Sequence, residues 1–146
     1  MALIGGGGSP NTVGSNPSGT GKGLVYVGNG MHAGWSGTVD IAAAGTAVTQ
    51  FEFTSPSDNI IVNYRFGINE NTVDTNSYYG FTISLDGQFV YQQTVRFSAT
   101  NSGTSDLGTK LVIPAFSKVK IQSITTDTSG TTATYGVITA KEVNFA

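Results

Sequence analysis

Only one histidine, His32, and no cysteine occur in the 146 residues, so the side chains most used for nucleophilic and metal chemistry are nearly missing. A serine triad sets an imidazole between a hydroxyl nucleophile and an orienting carboxylate. Ser36 and Asp40 are near His32 only along the sequence, and no serine sits in a nucleophile-elbow pattern. A metal site built on imidazole would want a second histidine or a thiolate. The stretch Gly30-Met-His-Ala-Gly-Trp35-Ser-Gly37 therefore reads as a glycine-rich turn, with Trp35 packing over one end of the fold.

Carboxylates raise the glycosidase question, because two of them about 5–9 Å apart can cleave a sugar linkage. Of the nine acids, Asp58, Glu70, Asp74, Asp86, Asp106 and Asp127 fall in turn-like segments, where Asp caps backbone N–H groups. Asp40, Glu52 and Glu142 lie in alternating segments and read as solvent-facing. The oxygen-rich loop from Asn69 to Asn76 could suit calcium, but an EF-hand register would require a ligand at Tyr78 and glycine at Tyr79. An ordinary polar loop is the reading. Asn16-Pro-Ser-Gly-Thr-Gly-Lys22-Gly23 imitates a phosphate-binding loop, yet Asn16 replaces the first glycine, Gly23 replaces the magnesium-binding hydroxyl, and a strand follows. The expectation is a binding protein, with no catalytic residue, no metal and no cofactor.

Binding could use aromatic rings. Tyr64 and Tyr91 alternate with apolar residues and read as buried, whereas adjacent strand residues Tyr78 and Tyr79 must point to opposite faces. Asn69, Asp74, Asn76, Tyr78 and Tyr79 are the candidate exposed ligand-contact loop. Seven Lys and Arg are scattered in a chain of net charge −2, so no basic stripe exists to neutralise nucleic-acid phosphates. Met1-Ala2-Leu3-Ile4 runs straight into four glycines, unlike a secretory signal, and no apolar run nears the ~20 residues of a membrane span. Neither nucleic acid nor membrane is an expected partner.

These residues must be positioned by strands. Charged residues are only 11% of the chain, and from Leu24 onward the apolar residues alternate with period two. Residues 1–23 hold eight of the twenty glycines, with Pro10 and Pro17, and read as a flexible arm ahead of one domain over 24–146. Nine strands are expected, at 24–28, 37–42, 48–54, 59–67, 78–85, 88–97, 109–113, 116–125 and 132–143. Phe51 and Phe53 should face the core with Gln50 and Glu52 opposite, one face core and the other wet. Asp86-Gly87 marks a hairpin; a three-residue loop Leu85-Asp86-Gly87 would place Phe81, Ile83, Phe89 and Tyr91 together. With 24–28 as an extra edge strand, the other eight fit an antiparallel two-sheet sandwich of jelly-roll topology, whose fourth and fifth strands this hairpin joins. An eight- or nine-stranded sandwich of Greek-key type is the alternative.

Ser36-Gly-Thr-Val-Asp-Ile41, Thr49-Gln-Phe-Glu-Phe53, Asn59-Ile-Ile-Val-Asn-Tyr-Arg-Phe66, Ile83-Ser-Leu-Asp-Gly87 and Leu111-Val-Ile-Pro-Ala-Phe-Ser-Lys-Val-Lys-Ile121 give the chain a further likeness. In these segments it resembles the small β-sandwich virion proteins of tailed phages and other double-stranded DNA viruses. The resemblance implies a cement or decoration protein on the capsid exterior, made in the host cytoplasm, commonly a homotrimer, with the major capsid protein as partner. The arm lies outside it. An uncharged arm could follow a groove by backbone hydrogen bonds, with Met1, Leu3, Ile4, Gly5, Gly6, Gly7, Gly8 and Pro10 as candidate contacts. The competing expectation is a receptor- or glycan-binding fibre head that uses loops near 69–79 and 101–108.

Overall fold

The computed structural model describes residues 23–41, 46–69, 77–96, 107–127 and 131–143. Its strands are β1 (Val25–Gly28), β2 (Met31–Trp35), β3 (Val39–Ile41), β4 (Val48–Thr54), β5 (Asn59–Ile68), β6 (Tyr78–Leu85), β7 (Gln88–Arg96), β8 (Leu107–Ile113), β9 (Lys118–Thr125) and β10 (Thr132–Val143). One sheet runs β1-β2-β10-β5-β8 and the other β4-β9-β6-β7, with β3 pairing β10 beyond the end of β2. Every pairing is antiparallel. With β2 and β3 taken as one broken strand B and the rest lettered C to I, the orders are B-I-D-G and C-H-E-F. The fold is therefore a jelly roll with β1 as the added edge strand.

Alternation builds the core as expected. Ile60, Val62, Tyr64 and Phe66 of β5 face Phe51, Phe53, Tyr79, Phe81, Ile83, Val119 and Ile121 of the other sheet. The rings of Tyr64 and Phe81 meet edge to face with centroids 4.6 Å apart, and Tyr91 lies 6.0 Å from Phe81. Such contacts add about 0.5–1.5 kcal/mol beyond area burial.

Four expectations need correction. Met31–Trp35 is a strand, not a turn: Asn29 and Gly30 both have positive φ and form a two-residue turn that folds β1 onto β2. The same geometry recurs at Asp86-Gly87, where both residues again have positive φ and Leu85 pairs with Gln88. The preferred three-residue loop is thus replaced by a two-residue one, and a bulge at Val90 re-registers the strands so that Ile83 still pairs with Tyr91. Phe89 pairs with Ser84 instead and is 63% exposed.

Gln50 is also not on the wet face. Ile121 pairs with Phe51 while Gln122 pairs with Thr49, so Gln50 is the extra residue of a bulge and both Gln50 and Phe51 turn inward, fully buried. Finally, β9 begins at Lys118, not at residue 116. Phe116 has φ 58° and is 71% exposed, a conformation a bulky side chain adopts only under constraint. Its N–H donates to the Pro56 carbonyl at 3.1 Å, and the neighbouring Ser117 N–H donates to Ser55 Oγ at 2.8 Å.

Candidate functional site

His32 lies inside the fold, against expectation for a turn. It sits on the inward face of β2, and its Nε2 is 2.8 Å from Oε1 of Glu142, 110 residues away on β10. The Tyr26 ring covers it edge-on at 5.2 Å between centroids, and the Tyr26 hydroxyl accepts the Gly30 N–H at 3.3 Å. Glu142 is therefore a structural partner of the β1–β2 hairpin. Trp35 does not pack over the sandwich end; it is 68% exposed on the outer face of β2.

Of the acids expected to cap turn backbone, Asp86 does so and Asp127 takes a side-chain partner, while Glu70, Asp74 and Asp106 lie outside the described residues. Asp86 Oδ1 accepts the Lys118 N–H at 2.8 Å, and buried Asp127 accepts the Tyr79 hydroxyl at 2.8 Å. Glu52 and Asp86 do line one open groove, but β9 stands between their strands and Asp86 is engaged by the Lys118 N–H of β9. Among the described residues no three His, Asp or Glu side chains come together as metal ligands would.

Of the candidate ligand-contact loop, Asp74 and Asn76 lie outside the described residues, as do Met1, Leu3, Ile4, Gly5, Gly6, Gly7, Gly8 and Pro10 of the arm. The Asn69 N–H donates to the Ala133 carbonyl at 2.9 Å, which ties it to the sheet. Tyr78 is exposed, with the Arg96 guanidinium 5.7 Å above its ring. Tyr79 is fully buried and cannot meet a ligand; the strand pleat sends its ring inward to Asp127. The structure thus removes Tyr79 from the candidate contacts.

A larger asymmetry separates the two outer faces. The β4-β9-β6-β7 face carries Thr54, Lys118, Glu52, Lys120, Ser84, Gln122, Thr82 and Gln92 in successive rows; it is mainly polar, with Phe89 and Tyr78 as exposed rings towards its β6–β7 edge. The opposite face departs from the expected wet surface. One cross-strand row runs Trp35, Val137, Arg65 and Gly108, and another runs Met31, Lys141, Ile61 and Val112. Tyr135 projects beside Val137 and lays its ring over Gly67, where an added Cβ would come within 2.0 Å of it. Trp35, Met31, Val112, Tyr135 and Val137 are all exposed, interrupted by Arg65, Lys110 and Lys141. By register Trp35, Tyr135 and Val137 adjoin, with Ala33 leading on to Met31, while Ile61 and Val112 are set apart from them by Thr139, Asn63, Lys110 and Lys141; large exposed apolar side chains gathered in this way on an outer sheet face mark a contact surface.

The same arrangement of strands occurs in virus particles. The chain is similar to one in the structure of infectious bursal disease virus Gx strain, with TM-score 0.54 and 14% identity over 77% of this chain and 32% of that one. A chain of T=1 particles derived from infectious bursal virus matches with TM-score 0.52 and 16% identity, over 78% and 32% of the two chains. The likeness is one of fold. This chain spans about a third of the length of those virus chains, covering 32% of each. No family model matches the sequence, and no curated protein matches it.

Sequence reasoning missed three of these features. The β1–β2 hairpin had a usable signal, since Asn-Gly between alternating residues is the strongest short-range hairpin mark. The inward turn of Gln50 and the pairing of His32 with Glu142 had none, because both depend on partners distant in the chain.

Proposed function

We propose that this chain is a virion structural protein of the cement or decoration type, seated on the exterior of an assembled capsid as a homotrimer, with residues 1–23 clasping neighbouring subunits of the major capsid protein. The observation that carries the reading is the apolar outer face of the β1-β2-β10-β5-β8 sheet, centred on Trp35, Tyr135 and Val137. A sheet face of a free monomer favours polar side chains, as the rows Thr54–Lys118 and Glu52–Lys120–Ser84 of the other sheet have; the strip of Trp35, Val137 and Tyr135 suits a covering partner instead. Support also comes from the jelly-roll fold shared with chains of virus particles. Arg65, Lys110 and Lys141 around the patch suit a partner surface with carboxylates at its rim.

Assembly multiplies weak contacts. Three copies that each touch the shell bind at high effective concentration once the first is seated, and an arm with no charged side chain before Lys22 extends that reach through backbone hydrogen bonds. The test mixes purified protein with shells that lack it and images the product. Binding at threefold or quasi-threefold positions with Trp35 and Val137 covered is the expected result. Val137→Lys should abolish binding while leaving the fold intact, and deletion of residues 1–20 should weaken it. Shells that stay bare at saturating protein, or that bind Val137→Lys equally well, would overturn the reading.

A further inference from the structure

The polar outer face, opposite the proposed shell contact, is a groove with its own chemistry. It is an open concavity of about 910 Å³ lined by Glu52, Thr54, Ser84, Lys118, Lys120 and Gln122, beside the Asp86-Gly87 turn. We propose that this groove binds a neutral oligosaccharide.

Three observations carry the assignment. The groove is lined by two carboxylates, Glu52 and Asp86, and two ammonium groups, Lys118 and Lys120, so its formal charges cancel. Polyanions meet Glu52 and polycations meet the lysines, whereas a neutral polyol meets no repulsion. The lining also holds donors and acceptors in alternation: carboxylate, ammonium and hydroxyl lie side by side in the row Glu52–Lys120–Ser84. Sugar hydroxyls both donate and accept, and can bridge such neighbours at spacings of about 4.8–5.5 Å. Lastly, that row ends on Phe89, paired with Ser84 and 63% exposed. The two-residue turn and the Val90 bulge put its ring on this face instead of in the core, leaving an apolar plate at the groove edge where a pyranose face can stack.

The strands themselves make the lane rigid. The groove residues of β4, β9 and β6 stand on hydrogen-bonded ladders, and Asp86 caps the Lys118 N–H at 2.8 Å, so the backbone needs no ordering on binding and the cost falls on the side chains of Glu52, Lys118 and Lys120. This site is separate from the Tyr78 loop and from the apolar face, and the inference goes beyond the capsid reading without depending on it.

The experiment titrates the isolated full-length protein, without shells, with malto-, cello-, manno- and galacto-oligosaccharides of four to seven residues and follows backbone amide shifts. A parallel arm uses sialylated and sulfated oligosaccharides. The expected result is saturable shifts at Glu52, Ser84, Phe89 and Lys120 with at least one neutral series. Phe89→Ala should weaken that binding about five- to tenfold, Glu52→Gln should weaken it severalfold, and Tyr78→Ala should leave it unchanged. The proposal is overturned by no saturable shift up to about 10 mM of any neutral series, by binding of the acidic sugars alone, or by affinity indifferent to Phe89→Ala. Loss of sugar binding together with intact shell binding would sink this inference and leave the capsid reading standing.

Discussion

Replacing Thr134 by valine changes almost no volume, yet should be among the most damaging substitutions in the β10 strand. Thr134 Oγ1 donates to the Val39 carbonyl at 2.8 Å and accepts the Gln50 Nε2–H at 3.1 Å. Its one proton is thereby used, so the Ser123 hydroxyl 2.9 Å away must be the donor to it. Gln50 Oε1 in turn accepts the Tyr64 hydroxyl, which closes a network in which Gln50, Tyr64, Ser123 and Thr134 are all fully buried. Valine removes the hub. Gln50 Nε2 and the Val39 carbonyl each lose a bond in a site closed to water, at about 1–3 kcal/mol apiece, while Ser123 can turn its hydroxyl elsewhere. The methyl that replaces the hydroxyl returns about 0.8 kcal/mol by burial. The net loss is about 3 kcal/mol, a large share of a stability on the order of 5–15 kcal/mol. Urea unfolding followed by far-ultraviolet circular dichroism should show the midpoint falling by about 1–2 M with an unchanged slope. Thr139→Val, on the outer face of the same strand, should shift it by less than about 0.5 kcal/mol. A double-mutant cycle with Gln50→Leu should show coupling of at least about 1 kcal/mol. If Thr134→Val unfolds within about 0.5 kcal/mol of the wild type, the network does not stabilise the core and the reasoning fails.

Two further predictions use buried phenols. Burial pushes the Tyr64 phenol far above its ordinary value of 10.0, so the folded state keeps a proton that the unfolded chain releases. Stability from this group is present below pH 10 and is lost as pH rises past it, at about 1.4 kcal/mol per pH unit. Unfolding curves between pH 9 and about 11.5 should show that decline, and Tyr64→Phe should flatten it; identical slopes in the two proteins would refute the assignment. Tyr79→Phe keeps the buried ring but removes the hydroxyl that Asp127 Oδ2 accepts at 2.8 Å, and a hydrogen bond to a charged group contributes about 1.5–3 kcal/mol. Chemical denaturation should report a loss of that size, and an unchanged midpoint would mean the contact is dispensable.

Fold class was legible because the core strands keep strict alternation: Ile60, Val62, Tyr64 and Phe66 on one side and Ile61, Asn63 and Arg65 on the other leave one choice of buried face. The hairpin at Asp86-Gly87 was legible as a turn, but not its register. Asp86 and Gly87 both accept positive φ, and the bulge that restores Ile83 to Tyr91 leaves no mark in the residue types. Gly30 to Gly37 misled, because glycines suggest a turn although Gly34 is needed for close approach: a Cβ there would lie 2.8 Å from the Gly23 carbonyl.

What the sequence determined by itself was therefore local: the pleat, the turn at Asp86-Gly87 and the scarcity of nucleophilic and metal-binding side chains. Which outer face is wet was decided only by the tertiary structure. Trp35, Val112 and Val137 come from three separate strands, and each alone is an unremarkable exposed residue; cross-strand pairing through β10 and β5 gathers them onto one surface. The same holds for Gln50, Ser123 and Thr134, whose network spans both sheets. Period-two alternation says that a residue faces in or out, but what it meets there depends on strand order and register, which are set by the whole chain at once.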